Sequence, residues 1–146
     1  MKKAVIMLLV MALAAATLAF AGCGGSGSSD TPEQVVEQFL SASMEENADA
    51  AYELISEDSK SELEDKESLV AGFSDGIDAY EVGAATISGD EARVAIVFQL
   101  SGLEGDLEFD IVLVKENGAW KIALADTNLE AEKAIEELMQ QLQPTQ

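Results

Sequence analysis

The sequence contains no histidine, one cysteine (Cys23), and only eight lysine and arginine residues against 28 aspartate and glutamate residues. The lack of histidine removes the side chain whose pKa best suits proton transfer near neutral pH. A single cysteine excludes a disulfide within the chain. The net charge is −20, and no stripe of basic residues could neutralise phosphates, so nucleic-acid binding is not expected.

What the sequence does contain begins with a positive start and a long apolar run. Lys2 and Lys3 precede residues 4–21, which carry no charge, and Gly22-Cys23 closes the run. Glycine and serine dominate the next residues. This layout is typical of a secretory signal peptide over residues 1–22, followed by a flexible tether over residues 23–30.

The junction at Gly22-Cys23 resembles the lipobox of bacterial lipoproteins, because small residues, Ala21 and Gly22, directly precede the cysteine. The resemblance implies cleavage between Gly22 and Cys23 and attachment of diacylglycerol to the Cys23 thiol. The protein would then be exported and lipid-anchored to the outer face of the cell membrane, or to an outer membrane where the cell has one. Two alternatives stay open: an uncleaved apolar segment that spans the membrane, and ordinary secretion.

Loss of the signal peptide removes Lys2 and Lys3, which leaves six basic residues against 28 acidic ones and a net charge of −22. A surface of this charge repels anionic lipid headgroups as well as nucleic acid. The expected membrane affinity therefore comes from the acyl chains, each buried methylene contributing about 0.8 kcal/mol.

The residues after the tether predict helices. Thr31-Pro32-Glu33-Gln34 is a capping box that opens a first helix, and Asn47 can cap a second. Apolar residues at helical spacing predict a third, short helix that ends near Gly76, with residues 56–62 as a turn or irregular helix. The apolar positions of the three helices are Val35, Val36, Phe39 and Leu40; Ala51, Tyr52, Leu54 and Ile55; and Leu63, Leu69, Val70 and Phe73.

From Ile77 onwards the apolar residues alternate with polar ones, which predicts four strands. The first covers residues 78–88 and changes parity near Gly83, so a β-bulge is expected there. The others carry Ala92, Val94, Ile96, Phe98 and Leu100; Leu107, Phe109, Ile111 and Leu113; and Trp120, Ile122 and Leu124. Asn117-Gly118 is a strong hairpin signal. One apolar and one polar face predict an antiparallel sheet covered on one side by the helices.

A C-terminal helix is predicted over residues 127–143, after a domain over residues 31–126. Thr127-Asn128-Leu129-Glu130 forms a second capping box, and Pro144 ends the helix. Its apolar stripe comprises Ile135, Leu138, Met139 and Leu142. This stripe packs either on the domain, which we favour, or on a second molecule.

Three segments together resemble the NTF2-like superfamily: Thr31-Pro32-Glu33, residues 51–56, and residues 113–122 with their Gly118-x-Trp120-Lys121-Ile122 motif. Within it, the chain is most similar to the DUF4878 group of small bacterial lipoproteins, also labelled lumazine-binding. The resemblance implies an α+β fold, a cystatin-like cone in which helices pack on a curved four-stranded antiparallel sheet, often with a pocket inside. It implies no reaction, because this fold carries many functions.

Tyr52, Asp78 and Tyr80 are the candidate catalytic side chains, and we expect them to be structural. No nucleophile elbow, phosphate loop or Cys/His ligand set is present. Residues 58–69 supply carboxylates but have Leu63 where a calcium loop of the EF-hand type needs glycine. The sequence therefore predicts no catalytic residue, no metal site and no cofactor.

Two functions from different classes remain. The first is a membrane-tethered, non-catalytic module whose cone binds a small apolar or aromatic ligand against Tyr52, Phe98 and Trp120. The second is an interaction or assembly protein that docks another envelope protein, or a copy of itself, through its sheet face or terminal helix. An NTF2-like isomerase-type enzyme is a third hypothesis, and it needs a carboxylate–tyrosine pair in the pocket.

Overall fold

The structure is a computed structural model that describes residues 30–71, 73, 75–102 and 105–142. Gly22, Cys23 and Pro144, and with them the predicted signal peptide, lipidation site and helix stop, lie outside the described residues. The helices are α1 (Pro32–Met44), α2 (Ala48–Glu53), α3 (Glu57–Glu62) and α4 (Leu124–Leu142), with a 3₁₀ turn at Glu67–Leu69. The strands are β1 (Ile77–Ser88), β2 (Glu91–Leu100), β3 (Asp106–Glu116) and β4 (Ala119–Ile122).

The first two helices begin where the sequence predicts. The Thr31 hydroxyl accepts the Gln34 N–H at 3.3 Å, and the Gln34 side chain accepts the Thr31 N–H at 3.0 Å, so the capping box is complete. The Asn47 side chain accepts the Ala50 N–H at 3.2 Å and caps α2. These local bonds satisfy amide groups that a helix start otherwise leaves without partners.

The third helix differs in position from its prediction. Ser56 caps α3 by accepting the Ser59 N–H at 3.2 Å, so a regular short helix occupies the polar residues that were predicted to form a turn or a short irregular helix. Residues 63–71 and 73 form no α-helix, only the 3₁₀ turn. Val70 is buried and Phe73 half-buried all the same, because they pack on the core without helical backbone.

The sheet has the order β1-β2-β3-β4 with every pair antiparallel, and it is curled. The β1–β2 register slips between Val82 and Ala85, which confirms the predicted bulge. Gly83 lies there so close to β2 that an added Cβ would be 3.1 Å from the carbonyl oxygen of Ala95. Glycine therefore allows the close approach of the two strands.

The predicted alternation is also confirmed in β2, where Ala92, Val94, Ile96 and Phe98 are buried. They face α1, whose buried residues belong to the same core. The Glu33 carboxylate joins α1 to β1 by accepting the Ala85 N–H at 2.9 Å. This bond lowers the pKa of Glu33, since it favours the charged form.

The start of α4 was predicted wrongly. The helix begins at Leu124, which was assigned to the last strand, and Thr127 lies inside it. The Thr127 hydroxyl accepts the Val112 N–H at 3.0 Å instead of capping a helix. β4 pairs only with residues 113–116 of β3, so α4 runs along the remaining edge of that strand. An otherwise open strand edge is thereby covered.

The C-terminal helix packs on the domain, as favoured, but not through the whole predicted stripe. Leu138 and Ala134 pack against the core. Ile135, Met139 and Leu142 remain exposed. The predicted fold class is confirmed: an α+β fold with N-terminal helices on a curved four-stranded antiparallel sheet, and a C-terminal helix.

Candidate functional site

A cavity of about 290 Å³ lies between the sheet, α1, the segment after α3 and the first half of α4. Its walls are mainly apolar. They are formed by Phe39, Leu40, Leu63, Ser68, Leu69, Phe73, Ile96, Phe98, Phe109, Ile111, Leu124, Thr127, Asn128 and Ala131. Four different parts of the fold therefore meet at one apolar hollow, which makes it the candidate binding site.

Four phenylalanine rings form a continuous series along the wall. The ring centroids of Phe39 and Phe73 are 6.5 Å apart, those of Phe73 and Phe98 5.9 Å, and those of Phe98 and Phe109 5.7 Å. The first two pairs meet edge to face, with interplanar angles of 81° and 80°. The chain has five phenylalanines, and the four among the described residues all line this cavity. The site is therefore aromatic in character.

The polar groups of the wall are few and uncharged. The Thr127 hydroxyl is engaged with Val112, and the Ser68 hydroxyl donates to the carbonyl oxygen of Asp65 at 2.7 Å. For the Asn128 amide, no hydrogen bond occurs within the part of the chain that the structure describes, and this side chain is exposed at the rim. Asn128 is thus the wall residue best able to bond to a ligand.

Charged groups with displaced pKa values lie elsewhere in the fold. Hydrogen bonds from Lys133 and Arg93 lower the pKa of Glu130, and the hydrogen bond to Glu57 raises the pKa of Lys60. Neither Glu130 nor Lys60 lines the cavity. A proton-transfer site normally places such a group against the substrate.

The segment after α3 is held in place although it is not an α-helix. The Asp65 carboxylate accepts the Ser68 N–H at 2.7 Å, which shapes the turn that carries Ser68 and Leu69 to the cavity. Val70 is buried in the core beside them. On the other wall, the bond between Thr127 and Val112 sets the rotation of α4 and so directs Leu124, Asn128 and Ala131 to the cavity.

The three residues that the sequence suggested as a ligand site are not brought together. Phe98 lines the cavity, but Tyr52 and Trp120 do not. Tyr52 lies beside a shallow hollow, with the Lys60 ammonium 5.2 Å from its ring centroid. Trp120 is buried in β4, and the Lys115 ammonium lies 5.3 Å from its ring centroid.

The candidate catalytic residues also lie apart from the cavity. The Asp78 carboxylate accepts a hydrogen bond from the Ser101 hydroxyl at the exposed start of β1. Tyr80 is half-buried and packs against the core. Phe39, Phe73 and Phe109 occupy apolar positions of the predicted helices and strands, which was a usable signal, but sequence reasoning did not identify them as wall residues.

A larger hollow of about 770 Å³ lies on the outer side of α1 and α2. It is more open to solvent, and Glu37, Glu45 and Glu53 contribute carboxylates to it. It has the character of an acidic surface groove. No group of three or more His, Cys, Asp or Glu residues suited to a metal ion occurs among the described residues.

Comparison with known proteins finds similarity only to solved structures. No family model matches the chain, and no curated protein matches it. A SEC-C motif containing protein from Rhodopseudomonas palustris is similar in structure, with a TM-score of 0.53, 17% identity, and coverage of 64% of this chain and 75% of that one. At this identity the likeness shows the fold alone.

Two further solved structures are similar to this chain, with lower TM-scores. An NTF-2 like protein of unknown function from Silicibacter pomeroyi has a TM-score of 0.41 at 19% identity, covering 61% of this chain and 84% of that one. An LEH-like epoxide hydrolase from M. tuberculosis has a TM-score of 0.42 at 14% identity, covering 82% and 100%. These scores are too low to carry an activity over to this chain.

No helix in the described ranges is long and apolar enough to cross a membrane.

Proposed function

We propose that this protein is a membrane-tethered, non-catalytic binding module whose cavity takes a small, neutral, apolar or aromatic ligand. One observation carries the proposal: four phenylalanine rings wall a cavity that no charged side chain of the described residues lines, in a chain of net charge −20. Because the chain is so rich in carboxylates, a cavity wall without charged residues is a distinctive feature of the fold.

The size of the cavity limits the ligand. An apolar cavity of about 150 Å³ holds one benzene ring, whereas drug-sized ligands occupy sites of about 300–1,000 Å³. The cavity of about 290 Å³ therefore suits one or two fused rings, or a compact aliphatic group of similar volume. Aromatic ligands would gain about 0.5–1.5 kcal/mol from each edge-to-face contact with a phenylalanine ring.

The charge of the ligand follows from the polar groups of the wall. A charged ligand would lose its hydration and find no opposite charge among Ser68, Thr127 and Asn128. A neutral ligand with one hydroxyl or carbonyl group can place that group at the rim, beside Asn128. The ligand class is thus a neutral ring system with at most one or two polar substituents.

Ligand-dependent stabilisation tests the binding proposal. The chain from Asp30 to Gln146 contains every described contact, since the core runs from Val35 to Ala123. We expect 2-naphthol to raise its free energy of unfolding in a saturable way, by about 2.7 kcal/mol at a hundred times its Kd, whereas 2-naphthoate has no effect. Thermal and urea unfolding measure the effects of the two compounds on stability. Equal effects of the two compounds, or no effect of any neutral ring compound in a wider set, would contradict the proposal.

The membrane attachment is proposed to be the lipid on Cys23, held to the domain by a short tether. Seven residues, all glycine or serine except Asp30, separate the cysteine from Thr31, and flexible-chain scaling for such a composition gives a reach of about 15 Å, which would keep the domain close to the bilayer. The strongly acidic domain adds no attraction to anionic lipids. The Gly/Ser composition and the capping box that follows it support this division of the chain.

Replacement of Cys23 tests the attachment. We expect Cys23→Ala to move the protein from the membrane fraction to the soluble fraction, because the acyl chains are the proposed source of membrane affinity. Fractionation and metabolic labelling with a fatty acid measure the change, and Ser26→Ala in the tether is the matched control. A wild-type protein that stays in the membrane fraction without incorporating the labelled fatty acid would instead indicate an uncleaved anchor.

A further inference from the structure

The C-terminal half of α4 presents three large apolar side chains to solvent. Ile135, Met139 and Leu142 are 45%, 61% and 48% exposed. Their spacing of four and three residues places them on one side of the helix, along about 10 Å of its axis. We call these three residues the α4 stripe.

The three residues of the α4 stripe are not among the hydrophobic residues that pack on the core. α4 is held to the domain by neighbouring positions: Thr127 bonds to Val112, Glu130 pairs with Arg93 at 3.3 Å, and Leu138 packs against the core. Exposing large apolar side chains costs hydration free energy, so a contiguous exposed stripe beside the positions that hold α4 to the domain indicates an interaction surface.

The charges next to the α4 stripe define what can cover it. Glu132 and Glu136 lie on the stripe's outer flank by helical geometry, and both are exposed. Lys133 is the one basic residue of α4, and it is paired with Glu130 at 3.1 Å. The stripe is therefore an apolar surface bordered by carboxylates.

We infer that the α4 stripe docks a cationic amphipathic helix, whose apolar side covers Ile135, Met139 and Leu142 while its lysine or arginine residues meet Glu132 and Glu136. Helix-on-helix recognition of this kind uses apolar residues three and four positions apart. Charge complementarity selects this partner over a second copy of the chain, which would place acidic α4 helices side by side. It also selects against an anionic membrane surface.

Binding of designed peptides tests this inference. The probe is a 14-residue peptide with leucine on one helix side and lysine on the other, and the comparison peptide has glutamate in place of lysine. We expect the lysine peptide to bind the chain from Asp30 to Gln146 and the glutamate peptide not to bind. Fluorescence anisotropy of the labelled peptides, titrated at low and high salt, gives both affinities.

Two substitutions in the stripe locate the site. We expect Ile135→Gln with Met139→Gln to weaken binding of the lysine peptide at least about tenfold, since buried apolar anchors carry most of an interface's affinity. Leu129→Gln is the matched control, because Leu129 is 54% exposed on another side of α4, and it should change the affinity less than about twofold. Glutamine keeps helix propensity near that of the residues replaced.

Neutralisation of the flank separates specific docking from general attraction. We expect Glu132→Gln with Glu136→Gln to weaken binding several-fold and to reduce its salt dependence. Equal binding of the lysine peptide to the wild type and to the Ile135/Met139 variant would overturn the inference, because net charge alone would then explain the attraction. A wild-type dimer that the same variant dissociates, and that excludes the peptide, would overturn it in favour of a second copy.

Discussion

Replacement of Leu113 by alanine is expected to lower the free energy of unfolding by about 2–5 kcal/mol, the range measured for buried leucines in well-packed cores. Leu113 is fully buried in the central strand β3, opposite Ala92 of β2 and Ile122 of β4. The strands on both sides are fixed by backbone hydrogen bonds, so the structure cannot collapse into the space left by the side chain. Such a loss is a large part of a small domain's stability.

Urea unfolding followed by circular dichroism measures this effect in the chain from Asp30 to Gln146. The midpoint should fall while the slope stays unchanged, since the same surface is exposed on unfolding. Leu129→Ala is the matched control: it makes the same chemical change at an exposed helix position, where we expect less than about 0.5 kcal/mol. Similar losses at the two sites would contradict the described position of the core.

Leu113 also shows why the sheet could be predicted from the sequence. Its burial follows from the period-two pattern of apolar residues along β3, which the pattern of β2 matches position by position in the observed pairing. The burial of Val112, which lies between the buried Ile111 and Leu113, does not follow from that pattern. The start of α1 could be predicted equally well, because its capping box consists of hydrogen bonds between Thr31 and Gln34, only three residues apart. Signals within one element suffice where the determining contacts lie within that element.

The start of α4 could not be predicted from local signals of this kind. Thr127 has the sequence context of an N-cap, but its hydroxyl bonds to Val112, fifteen residues earlier on β3. Leu124 joins α4 because its N–H donates to the Ser59 hydroxyl, at 2.9 Å, instead of continuing β4. Both are tertiary contacts, which override local signals of similar strength.

The candidate site was only partly predictable for the same reason. Alternation correctly placed Phe98 on the buried side of β2, but it could not show which buried residues border an unfilled volume. Trp120 is equally well placed in its strand and packs away from the cavity. Phe73 follows a non-helical turn, so its position on the wall depends on how that turn folds back over the sheet.

Ala131→Phe is expected to abolish ligand binding while leaving the domain folded. Ala131 lies on α4, half-buried, and its side chain borders the cavity. A cavity of about 150 Å³ accommodates one benzene ring, so a phenyl group at this position occupies about half of the 290 Å³. The remaining space is too small for the two-ring compounds that fit the empty cavity.

The measured quantity is the stabilisation by 2-naphthol, which should disappear in the Ala131→Phe variant. The unliganded variant should unfold within about 1 kcal/mol of the wild type, or be more stable, because filling a cavity restores packing contacts. Ala125→Phe adds the same ring to an exposed position of α4 outside the cavity wall and should leave binding intact. If Ala131→Phe destabilises the domain by more than about 1 kcal/mol, Ala131→Leu serves in its place. The leucine side chain fills only part of the cavity, so it should weaken binding by a smaller factor. A folded Ala131→Phe variant that binds 2-naphthol as tightly as the wild type would place the ligand elsewhere and contradict the assignment of the cavity.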